Sequence, residues 1–226
     1  RIAAHHFRTR HHEYYVTPED VAAAIPHIAA VHDQPYGNAS AVPTYYCAKL
    51  AKSDGVDTLL GGDGGDELFG GNDRYAKQYL YSLYSDLPSG LRRHVIEPLA
   101  FLPPPVGVVG KVQRYMRHAS EPMPQRYDNH NLLEHFGPKT VFTDDFLSAV
   151  DTGAPQRLVG AAYRASNADS LINRMLALDL RFTLADNDLP KVTRSCELAR
   201  VDVRFPMLDD ALVDFAARLP PRYKLN

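Results

Sequence analysis

Cysteine is scarce in this chain of 226 residues: Cys47 and Cys196 are the two it has. Two thiols cannot build the disulfide framework of a small secreted domain. Both are therefore expected to be reduced, to lie buried or half-buried, and to belong to a cytoplasmic protein. No run of about 18 apolar residues occurs, which excludes a hydrophobic helical membrane span. Charge of one sign is lacking as well. A formal net charge of -2 gives no broad basic surface for nucleic acid and none for an anionic membrane. Internal repeats and low-complexity tracts are absent. So is an initiating methionine: the chain opens on Arg1, its true N-terminus is expected to lie upstream, and nothing follows about a leader peptide.

What remains is an ordinary globular composition, 45% hydrophobic and 23% charged, in a length that suits one large domain or a domain with an appendage. The first residues resemble the tail of a helix. Residues 11–16, HHEYYV, are rich in aromatic and β-branched side chains and predict a short strand. His5, His6, His11 and His12 invite a metal reading, but adjacent residues point to different sides of a helix or strand. Ordinary surface histidines are the better reading. Thr17 suits an N-cap, Pro18 a first helical position and Asp20 a capping box, so a helix is predicted from there to about Val31, kinked or broken at Pro26. A loop over 32–43 follows, then a helix over 44–53 that Gly55 ends. Residues 56–60, VDTLL, predict a buried parallel strand. Beyond Phe69 the pattern is mainly helical, notably over 75–84, 171–184 and 212–219, with a break at Pro103, Pro104 and Pro105.

The chemistry concentrates in residues 59–75, LLGGDGGDELFGGNDRY. Gly61, Gly62, Gly64 and Gly65 let the backbone take positive φ and approach a ligand closely, and successive N–H groups in such a turn can cradle a phosphate. Asp63, Asp66 and Glu67 place three carboxylates within five residues, a hard-oxygen density that suits Mg²⁺ shared with a nucleotide. The loop also follows the predicted strand, and open α/β sheets bind ligands at strand C-termini. Two other readings exist. A solvated acidic turn needs no ligand. A Ca²⁺-binding β-helix repeat fits Gly61, Gly62, Gly64 and Asp66, but the second repeat fails at Asp73, where glycine is required.

Residues 60–75 resemble the signature L-S-G-D-G-G-D-E-L-F-G-G-Y-x-R-Y of the asparagine synthetase family, departing at Gly61, where serine is usual, and at Asn72, where tyrosine is usual. Residues 33–45, DQPYGNASAVPTY, are similar to D-E-P-x-G-D-P-S-A-I-P-T-Y of the same family. Residues 189–209, LPKVTRSCELARVDVRFPMLD, are similar to L-V-K-V-D-R-A-S-M-A-H-S-L-E-V-R-V-P-F-L-D, with Thr193 and Asp202 replacing acids of the pattern. The resemblance spans nearly the whole chain and is weaker over 85–165.

The resemblance implies a partial nucleotide α-hydrolase-like (PP-loop ATPase) α/β fold, a parallel sheet followed by a mainly helical half, over residues 1–226. It implies ATP and Mg²⁺ as cofactors and a reaction in which a carboxylate, aspartate or another, is adenylated and then amidated. By the same resemblance Gly61, Gly62 and Gly64 contact the nucleotide, Asp66 binds Mg²⁺, Asp63 faces the activated substrate and Glu67 anchors the loop. Ser40 and Thr44 belong near the substrate or the ribose. Arg74 reaches phosphate or pairs with a helix carboxylate. Lys191 and Arg194 read as a structural ion-pair network between helices, and Arg204 as the partner of Asp209 or another buried acid.

The family's S-G-G-x-D-S pyrophosphate loop is expected upstream of Arg1 and its R-P-K-x-G-F lysine block downstream of Asn226. A glutaminase domain of the same polypeptide is the expected ammonia source. The chain thus reads as one wall of a site, inactive alone, with a bare sheet edge that a homodimer would cover. A β-lactam synthetase-type ligase and a non-catalytic scaffold are the alternatives. No nucleic-acid or membrane partner is expected.

Overall fold

The computed structural model describes residues 1–85, 87–92, 94, 98, 108–128 and 136–225. In chain order the main elements are α1 (Ile2–His6), α2 (Pro18–Val31), α3 (Ala41–Ser53), β1 (Thr58–Leu60), α4 (Gly65–Phe69), α5 (Asp73–Ser85), α6 (Val108–Ser120), α7 (Asp144–Ala149), α8 (Ala154–Ala165), α9 (Leu171–Leu178), α10 (Leu189–Ala199), β2 (Asp202–Arg204) and α11 (Asp210–Arg218). A π-helix, Asp179–Asp188, joins α9 to α10. The fold is mixed α/β, with a small parallel sheet and mostly helix. The chain divides into two compact units, Arg1–Leu68 with Leu180–Ala216, and Phe69–Asp179 with Ala217–Asn226. No helix among the described residues is long and apolar enough to cross a membrane. The expected break at Pro103, Pro104 and Pro105 lies outside the described residues.

In the first unit, Ala24 and Ile28 of α2 meet Ala41, Val42 and Tyr46 of α3 in one buried cluster, with Tyr36 and Leu198 packed against it. The start of α2 is as expected. Thr17 Oγ1 accepts from the Asp20 N–H at 3.2 Å, and Asp20 returns the bond to the Thr17 N–H at 3.0 Å. Of the kink or break expected at Pro26, the break does not occur: α2 runs through it. Proline removes one hydrogen bond, to the Ala22 carbonyl, but Ala24 and Ile28 on either side are buried, and their packing keeps the helix in register.

The strand expected over 11–16 is absent, and these residues are irregular and mostly exposed. Strand-forming side chains make a strand only where a neighbour takes up the backbone donors and acceptors. Side chains fix the segment instead. Arg1 and His11 bond Glu13 at 2.7 and 2.9 Å, His12 meets Asp54 at 2.7 Å, and the Tyr14 ring stacks on Tyr46.

Helix α3 begins three residues earlier than expected. The Asn38 side chain accepts from the Ser40 N–H and hydroxyl at 3.0 and 2.6 Å, and Pro43 falls in the first turn, where a missing N–H is harmless. The chain leaves α3 through Gly55 at φ +78°. Cys47 on α3 is exposed, against expectation, while Cys196 on α10 is buried; both are free thiols.

Strands β1 and β2 pair in parallel, Thr58 opposite Asp202, Leu59 opposite Val203 and Leu60 opposite Arg204. The strand is parallel as expected but not buried: Leu60 is 72% exposed. Burying a parallel strand takes cover on both faces, and among the described residues the sheet has two strands. Helix α10 packs on α2, α3 and β2, and Ser195 Oγ donates to the Ala41 carbonyl at 3.4 Å.

In the second unit α5 packs on α6 and α9, and α8 packs on α9. Tyr75, Ile172, Met175 and Leu176 form its buried cluster, with Met123, Leu171 and Leu225 against it. The helix expected over 171–184 is present to Leu178 and then widens into the π-helix.

Candidate functional site

The glycine-rich loop leaves the C-terminal end of β1. The Gly61 N–H donates to the Arg204 carbonyl at 2.8 Å, carrying the ladder one residue past the strand. A Cβ on Gly61 would stand 2.7 Å from Phe205 Cε1, so the ring occupies the space a side chain would need. Gly64 turns the chain at φ +99°, a conformation that L side chains rarely adopt, and a Cβ there would meet Leu208 Cδ2 at 2.3 Å. Between them Gly62 is exposed with nothing within 4 Å of its Cβ position. Helix α4 then opens with Asp66 and Glu67 in its first turn, where the partial positive charge of the helix start favours carboxylates.

The loop carboxylates have different surroundings. Glu67 is buried, Asp63 half-buried and Asp66 exposed. The charge of Asp63 reaches α10: the Cys196 thiol is pushed up, by burial first and then by Cys47 and Asp63. Among the described residues no group of three or more His, Cys, Asp or Glu side chains is arranged to hold a metal. Ser40 and Thr44 lie in the same unit as the loop, with their hydroxyls used locally. Ser40 donates to Asn38 and Thr44 donates to the Ser40 carbonyl at 2.8 Å. Upstream, the Tyr36 hydroxyl donates to the Asn187 carbonyl at 2.8 Å and its ring stacks on His32, which ties residues 32–36 to the π-helix.

The downstream basic residues stand differently from their reading in sequence. Lys191 pairs with Asp188 at 2.7 Å and Arg194 with Glu197 at 2.9 Å, structural pairs as expected, but within one stretch of chain rather than between helices. Arg204 is exposed and makes no ion pair among the described residues, because β2 holds its side chain at the surface of a two-stranded sheet.

Arg74 took the carboxylate alternative. In the second unit it reaches Asp179 Oδ2 at 2.5 Å, and Asp179 is fully buried. The Tyr75 hydroxyl donates to the same carboxylate at 2.6 Å, and the Tyr127 hydroxyl also donates to it. Burial, then the Asp179 charge, pushes the Tyr75 hydroxyl far up. This cluster was not legible in the sequence. Tyr75 and Asp179 are 104 residues apart along the chain and Tyr127 and Asp179 are 52 apart, and no local spacing marks them.

The asparagine synthase family profile matches residues 1–226. Asparagine synthetase [glutamine-hydrolyzing] 1 of Bacillus subtilis is 26% identical over 219 residues, covering 92% of this chain and 32% of its own length. A putative asparagine synthetase [glutamine-hydrolyzing] of Mycobacterium bovis is 27% identical over 231 residues, covering 96% and 32%. A shorter match, 36% over 92 residues, joins 41% of this chain to 18% of a putative asparagine synthetase [glutamine-hydrolyzing] 2 of Methanocaldococcus jannaschii. No solved structure matches. The chain spans about a third of the length of the first two of these relatives, 32% in each case. With its loop at the end of a parallel strand and a profile match from first residue to last, the chain belongs to the asparagine synthase family.

Proposed function

We propose that this chain supplies one wall of the adenylating site of an asparagine synthetase-type ligase, working with ATP and Mg²⁺ on aspartate or another carboxylate. The observation that carries this reading is the glycine-rich acidic loop at the C-terminal end of parallel β1 in a member of this family. In the reaction a carboxylate oxygen attacks the α-phosphorus of ATP. The bond to the β-phosphate breaks and pyrophosphate leaves. Ammonia from a glutaminase domain of the same polypeptide then displaces AMP.

Gly61, Gly62 and Gly64 bring backbone N–H groups to the nucleotide. The open space at Gly62 fits that close approach. Asp66, exposed in the first turn of α4, would hold Mg²⁺, which when bound neutralises phosphate charge. Asp63 faces the activated substrate, buried Glu67 holds the loop, and Ser40 with Thr44 shape the substrate side. The protein works in the cytoplasm, and a homodimer covers the sheet edge.

ATP–pyrophosphate exchange tests the proposal. The isolated 226-residue chain is expected to show none with aspartate. A longer protein joining this segment to a pyrophosphate loop and the lysine block is expected to exchange, and Asp66→Ala there to lower the rate about 10²–10³-fold or more. Exchange by the isolated chain near that protein's rate would sink the assignment. Ring closure in place of amidation would favour the β-lactam synthetase-type reading, and a longer protein without exchange would favour a scaffold.

A further inference from the structure

Helix α5 carries an unusual face. Arg74, Lys77, Gln78 and Tyr81 follow the i, i+3, i+4, i+7 spacing that normally lays apolar residues against a core. Instead they line a cavity of about 390 Å³ in the second unit, together with His118 of α6 and Arg126 of the following 3₁₀ turn. A cavity of that size holds a small organic molecule.

Among the described residues the charges at this cavity do not balance. Arg74 is neutralised by Asp179. Arg126 is 3% exposed, yet among the described residues it makes no ion pair. Its Nη1 donates to the Ala119 carbonyl at 3.3 Å, its guanidinium lies over the Tyr81 ring, and its Nε is buried without a partner among the described residues. The charge of Glu121 acts on Arg126 only from beyond ion-pair distance. Lys77 is exposed and also makes no ion pair among the described residues. A guanidinium buried without a counter-charge is costly, and burial pulls the Arg126 pKa below its ordinary value. Gln78 Oε1 is a further buried atom without a partner among the described residues, able to accept from a ligand hydroxyl.

We propose that this cavity binds a small phosphate monoester carrying a hydroxyl group. Among the described residues, Arg74, Lys77 and Arg126 against Asp179 leave two net positive charges at the cavity. A phosphate monoester carries about -1.5 to -2 near neutral pH, and a carboxylate carries only half of that. Arginine guanidinia present the forked donors that phosphate oxygens accept. No residue of the 61–67 loop takes part, so the site stands apart from the adenylation reading.

The test is an NMR titration of the chain with inorganic phosphate and with glycerophosphate, following the His118 imidazole. Saturable His118 shifts are expected with both, and tighter binding of glycerophosphate if Gln78 takes the hydroxyl. Lys77→Ala is expected to weaken binding about 3- to 10-fold, and Lys77→Glu or Arg126→Gln more than about 10-fold. Should Arg126→Gln fail to fold, the two Lys77 variants at the exposed rim decide the matter. His118 shifts that stay linear beyond about 10 mM, where binding is weaker than about 3 kcal/mol, overturn the proposal. So does saturable binding that both Lys77 variants leave unchanged.

Discussion

At the scale of single residues, the clearest coupling is between Gly61 and Phe205. The family signature has serine at the first position and valine at the second. Here the smaller residue and the larger one meet, with the ring 2.7 Å from where a Cβ on residue 61 would stand. Gly61→Ser is therefore expected to destabilise the fold by about 1–3 kcal/mol through overpacking. Phe205→Val alone would leave a void and cost a similar amount, roughly 1–3 kcal/mol. The double variant is expected to recover much of the sum, because residues in contact are not additive. Urea denaturation of the four proteins measures this, and strict additivity would show that the two positions do not share one space. The next two glycines separate fold from ligand. Gly64→Ala forces an L side chain to φ +99° against Leu208 and is expected to cost about 1–3 kcal/mol. Gly62→Ala meets open space and is expected to shift stability by less than about 0.5 kcal/mol. If Gly62→Ala still weakens ATP binding, its Cβ is obstructing a ligand and not the fold. The loop itself was legible because its spacing is local. The Phe205 contact was not, since it joins residues far apart in sequence.

At the scale of elements, helices with local end signals are legible in the sequence, and paired or packed elements less so. Thr17, Pro18 and Asp20 marked the start of α2, and Gly55 marked the end of α3. The strand expected at 11–16 failed because sequence alone does not supply its neighbour, and β1 came out exposed for the same reason. Of the kink or break expected at Pro26, the break is absent because tertiary packing of Ala24 and Ile28 outweighs one lost hydrogen bond. That gives a prediction: Pro26→Ala is expected to stabilise the chain by about 1–3 kcal/mol, since the helix is already formed and only the defect is removed. A fall in thermal midpoint would mean that the proline ring makes a packing contact worth more than the missing hydrogen bond. Thr17→Ala, at the N-cap of α2, is expected to cost about 1 kcal/mol by removing the cap.

At the scale of the whole molecule, each unit has a tyrosine whose neutral form the fold requires. In the first, burial and then the Asp188 charge push the Tyr36 hydroxyl from 10.0 up to about 12. In the second, Tyr75 is pushed up by burial and by Asp179, to which it donates. A hydroxyl whose pKa is higher folded than unfolded favours folding while it stays protonated. The contribution is complete below the unfolded value of 10.0 and is lost as pH climbs through about 12. Tyr36 is only partly buried, so solvent screening reduces its share to the order of 1 kcal/mol. Tyr36→Phe is expected to weaken the fold at neutral pH by about 1 kcal/mol through loss of the Asn187 hydrogen bond. It is also expected to flatten the alkaline slope. Denaturant midpoints measured from neutral pH through 12 decide this. Stability that holds level across that window in the unsubstituted chain would mean that Tyr36 ionises without opposing the fold.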